Sequence, residues 1–107
     1  MDEKTIMEEI QVFVANRDWG QFHTEVNLAK SISIEAAELL EHYQWNESPD
    51  PTGVLEELAD VLTYCYLLCS KLRVSPIEIM QAKLVQTEDK YPIDKAKGSS
   101  KKYTEWE

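Results

Sequence analysis

Long hydrophobic runs are missing from this sequence. The longest apolar stretch, Val61 to Cys69 broken only by Thr63, falls far short of the roughly 20 residues a membrane-spanning helix needs. The opening MDEKTIMEEI has no basic segment followed by an apolar block, so a secretory leader is not expected. Cytoplasmic localisation with no membrane partner follows as the expectation. Cysteine is scarce: Cys65 and Cys69 stand four apart on one apolar segment. That spacing fits neither a zinc ribbon nor a disulfide framework, and two buried thiols are the simpler account. Positive charge is short as well, with 11 basic against 20 acidic residues and a formal net charge of −9. A polyanion needs a basic face, so an extended nucleic-acid surface is excluded. Alternating strand patterns and internal repeats are also absent.

What is present is helical grammar. Thr5 and Glu8 read as a capping box ahead of Ile6, Ile10, Phe13 and Val14, predicting a helix from about Ile6 to Arg17. RDWGQFHT follows as an aromatic-rich loop. Thr24 caps a second helix predicted to reach Tyr43 or Trp45, with Ser31 and Ser33 as a point of interruption. NESPDPTG is a turn, after which Asp50 and Pro51 open a third helix ending near Arg73. Ser75, Pro76 and Glu78 repeat that grammar for a fourth helix ending near Asp89, ahead of Tyr91-Pro92. The fold class expected is all-α, four main helices in one domain of 107 residues, with a flexible basic tail over about 93–107. Charge is uneven: residues 1–62 carry 14 of the acidic residues and three basic ones, whereas Lys90 to Lys102 carries five lysines. That arm either meets a small anion or is solvated.

The second and third helices bear the chemistry. Glu35 and Glu38 are three apart, as are Glu57 and Asp60, so each pair stacks on one helical face. Glutamates of an acidic chain also make plain solvated faces. For Glu57 and Asp60 that account is weaker, because their face continues through Tyr64 to Leu67 and Leu68. Four facing carboxylates repel one another and lose hydration, so either some protonate or a cation sits among them. An all-oxygen set suits Mg²⁺ or Mn²⁺ and does not suit zinc. A di-iron bundle wants Glu-x-x-His pairs, and His42 lies four residues after Glu38, not three.

At these residues the sequence resembles a known family. EAAE (Glu35 to Glu38), an 18-residue gap and ELAD (Glu57 to Asp60) resemble the ExxE…ExxD signature of the MazG-like all-α nucleotide pyrophosphohydrolases. RDWGQFHTEVNL, ELLEHYQW, EELADVLTY and KYPIDKAKGSSKKYTE, in that order, are similar to the dCTP pyrophosphatase-type branch. The resemblance implies a Mg²⁺-dependent enzyme, with Mn²⁺ as a substitute, that cleaves a nucleoside triphosphate between the α and β phosphates in a house-cleaning role. It also implies a dimer, or a dimer of dimers, in which two subunits complete a four-helix bundle. Carried across, Glu35, Glu38, Glu57 and Asp60 are the metal ligands, with Glu35 or Glu38 accepting the proton of the attacking water.

The same resemblance implies substrate contacts. Trp19, Phe22, His23 and Trp45 would form a base pocket, although Trp19 and Trp45 suit a core or an interface equally. Asn27 and Tyr64 would reach the sugar, and Lys83, Lys90 and Tyr91 the phosphates, with Lys95, Lys97, Lys101 and Lys102 as weaker candidates. Glu25 and Val26 stand where the branch often has proline and a basic residue, and Thr87 where it has asparagine. These departures bear on strict dCTP preference and leave the metal chemistry untouched, so related or modified deoxynucleotides come into range. The competing readings are a noncatalytic, antitoxin-like helical module that docks through the third helix, and a metal-carboxylate redox bundle.

Overall fold

Local capping chemistry starts each of the four long helices. The computed structural model describes residues 1–106, and Glu107, the last residue of the expected tail, lies outside them. Asp2 opens α1 (Glu3–Asn16), its carboxylate accepting the Thr5 N–H at 2.9 Å. This corrects the expected Thr5 cap: an aspartate three residues earlier satisfies an orphan helix donor just as well, and adds most of a turn. Thr24 caps α2 (Glu25–Glu41) through its hydroxyl, which accepts the Asn27 N–H at 3.1 Å. Ser31 and Ser33 do not interrupt it. α2 ends short of Tyr43, because the Tyr43 and Gln44 amides reach back only three residues, to Leu40 and Glu41, and tighten into a turn. Asp50 caps α3 (Pro51–Leu72) with Pro51 in its first turn, and Ser75 caps α4 (Pro76–Lys90) with Pro76 in its own, as expected. No strand occurs among the described residues.

Two compact units divide the chain at Val74 and Ser75. In the first, α2 and α3 pack along their lengths, and α1 lies against α3. Val14, Leu28 and Leu67, one from each helix, make the buried centre, with Ile10, Tyr64 and Leu68 around it. A short 3-10 turn, Trp19–Phe22, joins α1 to α2. Asp18 enters it in the left-handed region, and the Gln21 amide donates to both its carbonyl and its carboxylate. α3 leaves through a second left-handed residue, Arg73, at φ 59°. The Val74 amide returns to the Cys69 carbonyl and that of Arg73 to Ser70, the double closure usually built around glycine.

The buried centre is small. Leu55, Leu58 and Leu62 form a stripe along α3 that is open to solvent, Leu55 at 63% and Leu62 at 53% exposure. Such a stripe is unusual on a lone chain and is the kind of surface a partner covers. In the second unit, α4 is followed by a short helix, α5 (Ile93–Ala96), and a 3-10 turn, Tyr103–Glu105. Tyr91 meets Tyr103 and Trp106 edge to face, at 5.9 and 5.4 Å between ring centroids. The segment beyond α4 thus has local structure and an aromatic cluster that the sequence had not suggested.

Two stability outcomes follow. Leu28→Ala, at the best-buried side chain, costs about 2–5 kcal/mol in denaturant unfolding. Arg73→Gly relieves the left-handed backbone and raises the melting temperature, a gain on the order of 1 kcal/mol.

Candidate functional site

α2 and α3 run past each other in opposite directions, and three contacts step along them. His42 lies against Gly53, Glu38 beside Glu57, and Glu35 near Asp60. Three to four residues separate successive members on each helix, so all six share the facing surfaces. The four carboxylates singled out by spacing therefore converge. Glu35, Glu57 and Asp60 each present an oxygen within 4.8 Å of the others. Glu38 stands outside that trio and shares hydrogen bonds with both Glu35 and Glu57.

Electrostatics records the crowding. A hydrogen bond with Glu38, then burial, then the charges of Glu38, Asp60 and Glu57 push the Glu35 carboxyl from its ordinary 4.5 up to about 7. Burial first, then Glu38 and Asp60, raise Glu57 as well, with His42 opposing. One carboxylate oxygen on each helix, Oε2 of Glu35 and Oε2 of Glu57, is buried without a hydrogen-bond partner. Buried acceptors without donors are costly, and a cation satisfies both. A hard divalent ion holds oxygens at about 2.1 Å, so its ligands lie no more than about 4.2 Å apart. The observed spread needs only small side-chain rotations to match, and the donor set is all oxygen. These residues fit Mg²⁺ or Mn²⁺.

Beside the carboxylates lies an open cavity of about 440 Å³ whose wall includes Phe13, Trp19, His23, Asp60 and Tyr64. Asp60 belongs to both the cavity and the acidic cluster. Trp19 is held edge to face on Phe13 at 5.5 Å, and the Arg17 guanidinium covers the other ring at 3.7 Å while donating to the Phe13 carbonyl. Phe13 read as a core position of the first helix, yet it forms the support of this wall. Of the expected base-pocket residues, Trp19 and His23 share the wall with Tyr64, whereas Phe22 and Trp45 stand out in solvent, Trp45 at 89% exposure. Asn27 is engaged locally, its amide donating to the Phe22 carbonyl at 2.9 Å and tying the 3-10 turn to α2.

The remaining candidates belong to the second unit. Lys83 is exposed on α4, and Tyr91 is taken up by the aromatic cluster. The Lys90 ammonium lies 5.2 Å from the Tyr103 ring centre. Lys90 and Lys95 line a separate opening of about 380 Å³ with Asp89, Pro92, Tyr103 and Trp106. Two residues that spacing rules passed over matter at the acidic cluster. His42 approaches Glu57, 3.9 Å from Nε2 to Oε1, and Gly53 makes room for its ring. A glycine in the first turn of a helix near a histidine was the available signal.

The raised carboxyls set a pH dependence for the metal-free protein. Glu35 prefers its protonated form when folded, so its contribution is fully present below about pH 4.5 and is lost as pH rises through about 7. Thermal unfolding across that range shows declining stability without metal. Added Mg²⁺ or Mn²⁺ raises the melting temperature more at about pH 8 than at about pH 5, because ligation requires the ionised form.

Comparison with known proteins places the chain in a family. The model of the MazG-like family matches residues 30–106. dCTP pyrophosphatase 1 of Homo sapiens is 38% identical over 104 residues, covering 87% of this chain, and the Bos taurus protein of the same name is 35% identical over 103 residues. The chain spans 61% of the length of these curated relatives. A pyrophosphatase from Archaeoglobus fulgidus, known by crystal structure, superposes with a TM-score of 0.78 at 41% identity, covering 83% of this chain and 91% of its own. With both carboxylate pairs converging on one all-α scaffold, the chain belongs to the MazG-like family.

Proposed function

We propose that this chain is a divalent-metal-dependent nucleotide pyrophosphohydrolase that converts deoxynucleoside triphosphates to monophosphate and pyrophosphate. The observation that carries the reading is the pair of buried, unpartnered oxygens of Glu35 and Glu57 facing each other across α2 and α3. Relatives named dCTP pyrophosphatase support the substrate class.

Glu35, Glu57 and Asp60, completed by Glu38, would hold Mg²⁺ or Mn²⁺. The ion supplies neutralisation of phosphate oxygens and of charge on the departing pyrophosphate. Water attacks the α-phosphorus, the bond to the bridging oxygen of the β-phosphate breaks, and pyrophosphate leaves. Glu35 and Glu38 share a hydrogen bond beside this point, and one of them takes the water's proton. Trp19 offers a ring for base stacking, His23 a polar edge, and Tyr64 a hydroxyl for the sugar, all on one cavity wall. On the family resemblance alone, Lys83, Lys90 and Tyr91 would be the phosphate contacts. Phe22, Trp45 and Asn27 contribute less to the base pocket than their sequence block implies, given their exposure or local bonding.

The substrate is dCTP or a related or modified deoxynucleotide of the cytoplasmic pool, in a house-cleaning role. Glu25 and Val26 lie exposed in the first turn of α2, where no cation aids selection. The open leucine stripe of α3 supports a homodimer, paired further into a tetramer, each chain a single domain. That stripe would equally serve a noncatalytic docking module, and catalysis separates the two.

A deoxynucleotide panel with Mg²⁺, assayed for pyrophosphate apart from orthophosphate, gives pyrophosphate from at least one nucleotide. No pyrophosphate from any of them removes the enzyme reading in favour of the docking module. Glu38→Gln and Asp60→Asn lower kcat/KM by roughly 100-fold or more while the melting curve keeps its shape.

A further inference from the structure

His42 occupies a seat that the local sequence of α2 and α3 creates. It is the residue after the last turn of α2, four beyond Glu38, and therefore on the same face. Opposite it stands Gly53, four residues before Glu57 on α3, again on one face. The imidazole lies so close to the α3 backbone that a Cβ on Gly53 would sit 2.5 Å from its Cε1 and 3.1 Å from its Nδ1. Any side chain larger than hydrogen at this position requires the ring to move. Nε2 of this ring lies 3.9 Å from Oε1 of Glu57. The other oxygen of the same carboxylate, Oε2, is buried and has no partner.

We propose that His42, seated over Gly53, is a positioning residue for Glu57: its Nε2–H holds Oε1 and so presents Oε2 to the metal. The inference rests on the metal-site reading above. A carboxylate with two equivalent oxygens can ligate through either, or rotate between them. A donor on one side removes that freedom, and outer partners of this kind typically change metal affinity by about 10–100-fold. At 3.9 Å the pair is beyond hydrogen-bond length, so the proposed bond requires a rotation about the Glu57 side-chain bonds. Glu38 and Glu41 line the same open recess as His42 and Glu57. Of these four, His42 is the side chain that carries an N–H, whereas a carboxyl donates only when it is protonated.

The test is titration of Mn²⁺ alone into the full chain, followed by the paramagnetic resonance of the free ion, with melting curves to verify folding. His42→Phe keeps the ring and removes the donor, and affinity falls about tenfold. His42→Gln returns an N–H near the Nε2 position and stays within about threefold of the parent. Gly53→Ala favours the helix by its own propensity, yet dislodges the imidazole and weakens Mn²⁺ binding about as much as His42→Phe. In a His42→Ala background the same Gly53→Ala change has no further effect. Parent-like affinity in both His42→Phe and Gly53→Ala overturns the inference and leaves the metal site standing. Equal loss in His42→Phe and His42→Gln overturns it too, because ring shape then matters and the donor does not. A parent protein that binds no Mn²⁺ overturns the metal-site reading and this inference together.

Discussion

Mutual repulsion among four carboxylates is the constraint around which the first unit is organised. Glu35, Glu38, Glu57 and Asp60 cannot all be ionised at close range, with oxygens buried, unless something positive joins them. Without metal this crowding raises the carboxyls of Glu35 and Glu57 toward their protonated forms. With a divalent ion bound, as proposed, the same crowding would become a ligand set. A site that is strained when empty is tolerable because the two helices are anchored at the level of Leu28 and Leu67, away from the charges. Apolar burial holds the helices together; the carboxylates are then held against their preference.

The division of α3 follows from this. Its first half carries Gly53, Glu57 and Asp60 toward α2, and its second half carries Leu67 and Cys69 into the buried centre. Tyr64 stands where these roles meet, packed on the core and lining the cavity beside Asp60. Leu55, Leu58 and Leu62 take a further face that the single chain leaves open. One helix thus has a polar site, a core and an open apolar surface. Glu57 and Asp60 are compatible with its hydrophobicity because they occupy the stripe that faces α2.

Helix starts were readable where the signal is confined to a few neighbouring residues. Thr24, Asp50 with Pro51, and Ser75 with Pro76 all cap as their types dictate, since the bond each makes lies within three residues. The Thr5 assignment failed on the same physics, because Asp2 offered an equivalent acceptor upstream. The end of α2 was misjudged because Tyr43 and Gln44 remain in turn geometry that apolar periodicity does not distinguish from helix. Phe22 and Trp45 sit in blocks rich in aromatic residues, yet burial is a property of neighbours across the fold, and these two have little cover within the chain.

The sequence by itself determined the helical class, three of the four principal caps, and the spacing that stacks each acidic pair on one face. Those are consequences of local geometry, legible at 3.6 residues per turn. Only the tertiary structure decided that the two pairs face each other, that Glu38 bridges Glu35 and Glu57, and that Trp19, His23 and Tyr64 share a wall with Asp60. His42 shows the reason most clearly. Spacing along its own helix argued against a role, while the missing Cβ of a residue eleven positions away lets its ring lie beside Glu57. Register between helices is set by packing across them, and no periodicity within one helix encodes it.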